Sequence, residues 1–385
     1  MIKRISVPLV GLLFVVCAFG RDEYTRTFDK TLAMQAGQKL SVEHRFGDIT
    51  IRTHAEPELQ IHATIKVSAP DAGQAKMFAD KVEILAQPGT AELVIRTRYP
   101  GEPMSSGWFG NVSYMVHYEL TVPESASLEV RNAFGSVSVS GVRANAAITT
   151  SHGSIDFRDG QGTQRLEDSF ASIHVAHNLG DVSIDASNGS VTAEDINGAL
   201  SVRNRFASVT TARISKGVTI LNANGTVKVT DCGGIGNIKN SFGSVIVQGF
   251  QGDLTVDSSY GSVKASNLQG AQVRASFGPV VLDGVAGPVR VTDQNGPVDA
   301  TTVVRSGCQP IIIRTSFSGV RVHLAGEVSY HVTARTSFGH IRTDFPLSVS
   351  GSLSSDSVSG EIGSGHCEMT LTNSYGPIEI LKAGS

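Results

Sequence analysis

The sequence predicts an all-β fold, a parallel β-solenoid (β-helix) built from units of about 18 residues. Three observations predict it: a phrase such as NSFGSVIVQG recurs along the chain, its spacing is nearly constant, and each copy carries alternating apolar residues. One unit cannot bury its own apolar face, but units stacked along an axis form a continuous core. Right-handed winding is expected from the usual crossover preference.

The residue before the turn glycine, or before the residue that replaces this glycine, marks each copy. From Phe134 to Asn295 the markers are 18 residues apart, apart from one step of 17, and later steps lengthen to 22 and 21. Val or Ile follows three residues after a marker and another apolar residue two further on, as at Val245 and Val247. Because period-two alternation is typical of half-buried strands, each unit should contain strand, turn, strand and turn.

The markers also alternate in type, between Phe and His, Asn or Tyr. Like residues tend to stack in solenoids, so a 36-residue turn of four strands is an alternative to the 18-residue turn, which we favour. The phenylalanine markers are predicted to form a buried structural ladder at the turn. An exposed column that stacks on sugars is the alternative. These markers are Phe134, Phe170, Phe206, Phe242, Phe277 and Phe317.

Residues 1–20 have the layout of a secretory signal peptide: two cations, an apolar run and then small residues, with cleavage expected before Arg21. We therefore expect export, with a periplasmic, outer-membrane-associated or extracellular location. Removal of Lys3 and Arg4 leaves 30 cations against 35 anions, which lacks the basic footprint of a nucleic-acid-binding protein. No second long apolar segment follows, so no transmembrane segment is expected in the mature chain.

Residues 21–128 are predicted to form a β-rich N-terminal module that caps a solenoid domain of residues 129–385, because an open strand stack would template end-to-end association. The segment DAGQAKMFADKV, residues 71–82, is the one predicted helix. A loop rich in turn formers, residues 100–113, carries Trp108 and Phe109, and Tyr114 follows it. Exposed aromatic residues on a loop are typical recognition anchors, so these three are candidate ligand-binding residues; packing against the solenoid end is the alternative.

Three cysteines remain after residue 20: Cys232, Cys308 and Cys367. Their odd number and long spacing fit neither a zinc site nor a disulfide framework. Isolated packed thiols are the favoured interpretation, and one bridge between two irregular loops is the alternative.

No motif of a metalloprotease, a nucleotide-binding loop or a serine hydrolase is present, and no catalytic residue, cofactor or metal is predicted. Asp159, Asp195 and Asp231 recur at one position and are expected to be solvated turn residues on opposed or offset corners; a carboxylate column that needs a cation or separation by solvent is the alternative. The local clusters Asp156/Arg158/Asp159 and Arg203/Arg205 are expected to be outward-facing polar residues. The same surface or satisfied role is expected for the histidines His44, His54, His62, His174 and His177.

The opening strand FGDITI, the bridge LTVPESASLEV and the tandem S-[FYN]-G-S-V-x-V units closely resemble the bacterial putative adhesin family, secreted or cell-surface β-solenoids of unknown function. The resemblance covers nearly the whole mature chain and implies a solenoid fold and a place outside the cytoplasm. It brings no catalytic residues. We expect a monomeric, non-enzymatic binding or scaffold surface in the bacterial envelope, with an unknown protein or glycan as partner. A self-assembling structural β-helix and a polysaccharide-acting enzyme are the alternatives.

Overall fold

The predicted solenoid is confirmed. The computed structural model describes residues 21–100, 111–303, 308–349 and 356–383. It is 69% strand and 3% helix, and its stacked parallel strands make about 11 turns. The predicted signal peptide, residues 1–20, lies outside the described residues.

The first part of the chain combines long strands with one helix. The predicted helix is confirmed: its N-cap, Asp71, accepts a hydrogen bond from the backbone of Gln74, and Ala75, Phe78 and Ala79 are buried. The elements are β1 Asp22–Ala33, β2 Lys39–Phe46, β3 Ile49–His54, β4 Glu58–Ala69, α1 Ala72–Lys81, β5 Glu83–Pro88, β6 Glu92–Arg98 and β7 Ser113–Pro123.

The regular repeat follows as pairs of strands, one pair per turn. The strands are β8 Ser127–Phe134, β9 Val137–Ser140, β10 Ala146–His152, β11 Ile155–Gly160, β12 Gln164–Asp168, β13 Ile173–Asn178, β14 Val182–Ala186, β15 Val191–Ile196, β16 Ala199–Phe206, β17 Val209–Ile214, β18 Gly217–Asn224, β19 Val227–Phe242, β20 Val245–Tyr260, β21 Val263–Leu268, β22 Ala271–Phe277, β23 Val280–Val285, β24 Val289–Asp293, β25 Val298–Thr302, β26 Ile311–Arg314 and β27 Val320–Leu324.

Each turn contributes one strand to each of two parallel sheets. The first sheet contains β8, β10 and β12, and the second contains β9, β11 and β13; β19 and β20 each run through both. Ala146 lies opposite Leu128 on one side and Gln164 on the other. Partners are thus 18 residues apart, so the 18-residue turn is correct and the 36-residue alternative is wrong. We call the bend after a first-sheet strand the marker corner, and the bend after a second-sheet strand the opposite corner.

The alternating Val and Ile residues lie between the two sheets, as predicted. Val245 and Val247 are buried in the second sheet, and Leu254 and Val256 are buried in the first. These columns form one continuous hydrophobic cluster from the N-terminal strands to the last turn. Burial of this apolar surface is the main stabilising contribution, since each fully buried aliphatic side chain contributes about 1.5–3 kcal/mol.

A second buried column is polar and lines the inside of the marker corner. The amide of Asn240 donates to the carbonyl of Gly243 in its own turn at 2.8 Å and to that of Gly225 in the preceding turn at 3.0 Å. Asn132 does the same with Gly135 and Gly47, at 2.9 Å each. The column satisfies corner carbonyls that the parallel ladders leave unpaired.

The C-terminal strands insert into the stack in an order that differs from the chain order. They are β28 Tyr330–Phe338, β29 Ile341–Thr343, β30 Ser348–Val349, β31 Ser357–Ile362, β32 Cys367–Tyr375 and β33 Ile378–Lys382. Strand β32 lies between β26 and β28, and β33 lies between β27 and β29. The disulfide Cys308–Cys367 joins the approach to β26 with the start of β32. The expectation of three isolated thiols is therefore wrong for these two residues, whereas Cys232 is free and buried.

Both ends of the stack carry additional pairing. At the N-terminal end β2 and β3 pair in parallel with β8 and β9, and they in turn pair with β6 and β7. Antiparallel partners follow: β5 on β6, β4 on β7 and β1 on β4. At the other end β31 pairs antiparallel with β28. These strands occupy edges that would otherwise be open to another chain.

Candidate binding edge

The marker residues lie on the outside of the marker corner. From Phe134 onward the Phe and Tyr rings are 44–66% exposed, so the prediction of a buried ladder is wrong, and stacking of this column on sugars stays a hypothesis. Period two would place Phe242 on the inner side with Ile238 and Asn240, but the chain bends at this point and the ring projects to solvent. We call the aligned rings the ring column: Phe46, Phe134, His152, Phe170, Phe206, Phe242, Tyr260, Phe277, Phe317, Tyr375 and Phe338.

The close approach of successive turns requires glycine after the marker. Gly243 has φ +118°, a region that side-chain-bearing residues rarely adopt, and a Cβ there would lie 2.3 Å from the carbonyl oxygen of Gly225. The repeated glycine therefore lets adjacent corners stack at strand spacing, which brings the rings into register.

Neighbouring rings stack with nearly parallel planes. Centroids are 4.5–5.4 Å apart and the planes differ by 2–17°. Such pairs contribute about 0.5–1.5 kcal/mol each beyond area burial. The faces of these rings are covered by their neighbours, so they present mainly edges to solvent. The three stacks are Phe46–Phe134–His152–Phe170, Phe242–Tyr260–Phe277 and Phe317–Tyr375–Phe338.

Asparagine interrupts the ring column at three turns: Asn188, Asn224 and Asn295. Each amide folds back and donates to a backbone carbonyl of the preceding turn, at 2.8, 3.2 and 3.0 Å respectively. Two turns separate the flanking rings by about 9.6 Å. Each asparagine therefore leaves a slot one ring wide, and the ring on the turn before it and the ring on the turn after it flank this slot with their faces. Phe206 lies between two slots and has no stacked ring among the described residues.

A row of hydroxyl groups runs beside the ring column. Ser154 donates to Ser136 at 3.0 Å, and Ser262 donates to Ser244 at the same distance. The serines that directly follow the turn glycine share this position: Ser136, Ser154, Ser190, Ser244 and Ser262. The edge thus alternates apolar rings with hydroxyl and amide groups, which is the mixture of stacking and hydrogen bonding that carbohydrate and protein ligands use.

The aspartate column lies on the opposite corner, where basic side chains from the intervening turns contact two of its three carboxylates. Asp159, Asp195 and Asp231 adopt left-handed backbone conformations, with φ 50–55°. His177 lies 3.4 Å from Asp159 and 3.6 Å from Asp195, and Arg213 lies 2.5 Å from Asp195. The aspartates thus alternate with His177 and Arg213 on adjacent 18-residue turns. Among the described residues, no cluster of His, Cys, Asp and Glu could hold a metal ion.

The two local clusters of charged residues contain surface ion pairs. Asp156 accepts hydrogen bonds from Arg158 at 2.9 Å and from His174 at 2.8 Å. Burial opposes ionisation of Asp156, but these two hydrogen bonds outweigh it and hold the pKa of this carboxyl below its usual value. Arg203 lies 3.5 Å from Asp185 across the sheet. The clusters lie on the outward surface of the sheets, as expected, and they do not converge on a cleft.

Most of the singled-out histidines have partners. His54 contacts the carbonyl of Glu58 at 2.8 Å, and His62 contacts Asp29 at 2.6 Å. His44 is buried with its ring edge on Tyr118, and its Nδ1 lies 3.0 Å from the Thr97 hydroxyl. Burial lowers the pKa of His44 to about 4, so this imidazole is neutral at physiological pH.

Tyr114 lies at the N-terminal end of the ring column. Its ring is half-buried, with centroids 5.4 Å from Phe46, 4.6 Å from Phe78 and 5.0 Å from Tyr99. Trp108 and Phe109 lie outside the described residues. The ligand-binding role of these three residues stays a prediction.

Comparisons with known proteins include a structural neighbour of low similarity. No family model matches the chain, and no curated protein matches it. The crystal structure of a putative cell adhesion protein from Clostridium sporogenes ATCC 15579 aligns with 93% of this chain and 100% of its own, at 10% identity and a TM-score of 0.18. At that score the similarity carries no argument about function. In the part of the chain that the structure describes, no helix is long and apolar enough to cross a membrane.

Proposed function

We propose that the protein is an exported, non-enzymatic binding protein of the bacterial envelope, adhesin-like in its mode of action, and that the ring column is its binding surface. The observation that carries the proposal is the exposure of this column on a rigid edge. A soluble protein that exposes so many aligned aromatic rings has a surface suited to a ligand. Repeated, individually weak contacts along the column would sum to useful avidity for a polymer.

Two further features support the proposal. The Cys308–Cys367 disulfide suits an oxidising compartment, in agreement with the signal-peptide-like start. The resemblance of the repeat to the putative adhesin family agrees with a surface role. The additional strand pairing at both ends favours a binder over the self-assembling alternative, because antiparallel strands occupy edges that an identical chain would need.

The test exploits the asparagines that replace rings naturally. A triple variant, Phe206→Asn, Phe277→Asn and Phe317→Asn, removes a flanking ring from every slot and should keep the corner because Asn occupies the same position in three other turns. Binding of the wild type and the variant to a panel of immobilised glycans and to envelope preparations would be compared. The proposal expects wild-type binding that the variant loses while its circular dichroism is retained. Equal binding by both proteins, or turnover of any glycan by the wild type, would contradict it.

A further inference from the structure

We infer that the slot between Phe277 and Phe317 binds an acidic sugar unit, a uronate or a sulfated pyranose, of a polysaccharide. This inference rests on the proposed function and names the ligand class of one part of the ring column. Asn295 forms the floor of the slot, and we call the site the acidic-sugar slot. Two observations carry it: an open pair of ring faces, and a cluster of arginines beside it.

Two exposed ring faces flank the slot. Phe277 and Phe317 are on the turns before and after Asn295, about 9.6 Å apart, and both are exposed. The Asn295 amide donates to the carbonyl of Ser276 at 3.0 Å, which holds this side chain against the backbone. The space between the rings suits a saturated ring, which is thicker than an aromatic ring and presents apolar C–H faces to both sides.

The arginines lie on the first sheet, beside the slot. Arg274 and Arg314 each precede a slot phenylalanine by three residues, about 10 Å along the strand. Arg290 is on the turn between them, opposite Gln272 and Ile312. All three guanidinium groups line one surface depression of about 330 Å³. They therefore surround the place that a sugar leaving the slot toward the sheet would occupy.

The charge of this depression is largely uncompensated. Arg274 lies 3.4 Å from Asp257, but among the described residues no carboxylate is within 4.0 Å of Arg290 or Arg314. The equivalent surface beside the Asn188 slot contains ion pairs instead, Arg165 with Glu167 and Arg203 with Asp185. Three cations here, on a chain of net charge −3, are complementary to an anionic ligand. Guanidinium groups bind carboxylate and sulfate oxygens through paired hydrogen bonds.

The decisive variants close the slot or remove its charge. Asn295→Phe would place a ring where other turns already carry Phe or Tyr, so the corner should be retained while the slot is filled. Asn188→Phe fills the matched slot that lacks the arginine cluster. Arg290→Gln with Arg314→Gln keeps the size of the side chains and removes two charges. Calorimetry would measure binding of tetragalacturonate, a heparin tetrasaccharide and neutral cellotetraose, each at low and high salt.

We expect the wild type to bind at least one of the two acidic probes more tightly than cellotetraose, with affinity that falls as salt rises. The double arginine variant should bind it about tenfold more weakly, the scale of two solvent-exposed ion pairs. Asn295→Phe should weaken binding by a similar factor, and far more than Asn188→Phe does. The uronate and sulfate arms identify which anion is preferred.

Other outcomes separate this inference from the proposed function. If the arginine variant loses binding while Asn295→Phe binds as tightly as the wild type, the ligand binds a purely electrostatic patch. That result would overturn the slot as the binding site. Equal affinity for the acidic and neutral probes would overturn the acidic-sugar slot but would support sugar binding by the ring column. If the wild type binds no saccharide at all, the inference fails. The proposed function then depends on the protein ligands of the envelope preparations, where the triple phenylalanine variant decides it.

Discussion

Asp293 provides a sharp test of the buried polar column, because it is an acidic member of the column and one of its oxygens is unsatisfied. It is 2% exposed, its Oδ1 accepts from the backbone of Asn295 at 3.3 Å, and its Oδ2 has no hydrogen-bond partner. A Cβ on Gly296 would lie 1.9 Å from the carbonyl oxygen of Gly278 and 2.4 Å from Oδ2. Oδ2 of Asp293 therefore lies near the corner carbonyls to which the Asn side-chain amide donates in other turns. An ionised carboxylate has no proton to donate to these carbonyls.

Asp293→Asn should consequently stabilise the protein at neutral pH. It replaces a buried unpaired acceptor with a donor, which we expect to raise the free energy of unfolding by about 1–2 kcal/mol. Burial raises the pKa of Asp293 despite backbone hydrogen bonds that oppose the shift. A carboxyl whose folded pKa is raised stabilises fully below its unfolded pKa of about 3.9, and this contribution is lost as the pH rises through the folded pKa. The advantage of Asn should therefore be small near pH 3.5 and full at pH 7.

Urea unfolding at both pH values measures the effect, with Asp168→Asn as the matched control. Asp168 occupies the same corner position, but its Oδ1 accepts from the backbone of Phe170 and Ala171 at 2.7 Å each, and Thr150 donates to its Oδ2. Its carboxylate is already satisfied, so Asp168→Asn should bring no gain. A loss of stability in Asp293→Asn at pH 7, a gain independent of pH, or an equal gain in Asp168→Asn would refute the reasoning.

Three further predictions concern the rings, the disulfide and the opposite corner. Tyr260→Asn should lower the free energy of unfolding by about 1–3 kcal/mol more than Phe206→Asn, since Tyr260 loses two stacked neighbours and Phe206 none; urea unfolding of both variants shows whether stacking contributes. Replacing Cys308 and Cys367 with Ser should cost about 2–4 kcal/mol and abolish any effect of a dithiol on unfolding, and a persisting dithiol effect would implicate another thiol. Arg213→Glu should lower the melting temperature at low salt and lose this effect at high salt, while a salt-independent change would contradict a charge mechanism.

The repeat made the solenoid interior predictable because its 18-residue period equals one turn of the solenoid and its two-residue period is that of a β-strand. Eighteen residues return the chain to the same place, and period two selects which side chains face inward, so the burial of Val245 and Val247 followed directly. In the strand that ends at Phe242, Ile238 and Asn240 are buried, and extending their parity to Phe242 gives the wrong side, because a rule for strands does not apply at a corner. A usable signal was present: Asn240, two residues before the marker, shares the parity of buried Ile238, so a polar residue there indicates an internal cap.

The C-terminal insertion could not be predicted, since strand order depends on long-range pairing. Strands β28 and β32 carry equally good copies of the phrase, and either could have followed β26. The disulfide could not be predicted either, because it also depends on long-range strand pairing. Cys308 and Cys367 are 59 residues apart in sequence, and only the placement of β32 beside β26 brings their Cα atoms to 5.2 Å.

The asparagine slots in the ring column determine ligand recognition more strongly than the stacked rings do. In a stack such as Phe242–Tyr260–Phe277 the inner faces contact other rings, so a ligand meets edges and gains little stacking energy. An asparagine opens two faces at once and leaves no cavity in the core, because the side chain binds backbone outside it. A longer uninterrupted stack would therefore make a more rigid but less adhesive edge. Filling all three slots with Phe should weaken glycan binding while it strengthens the fold.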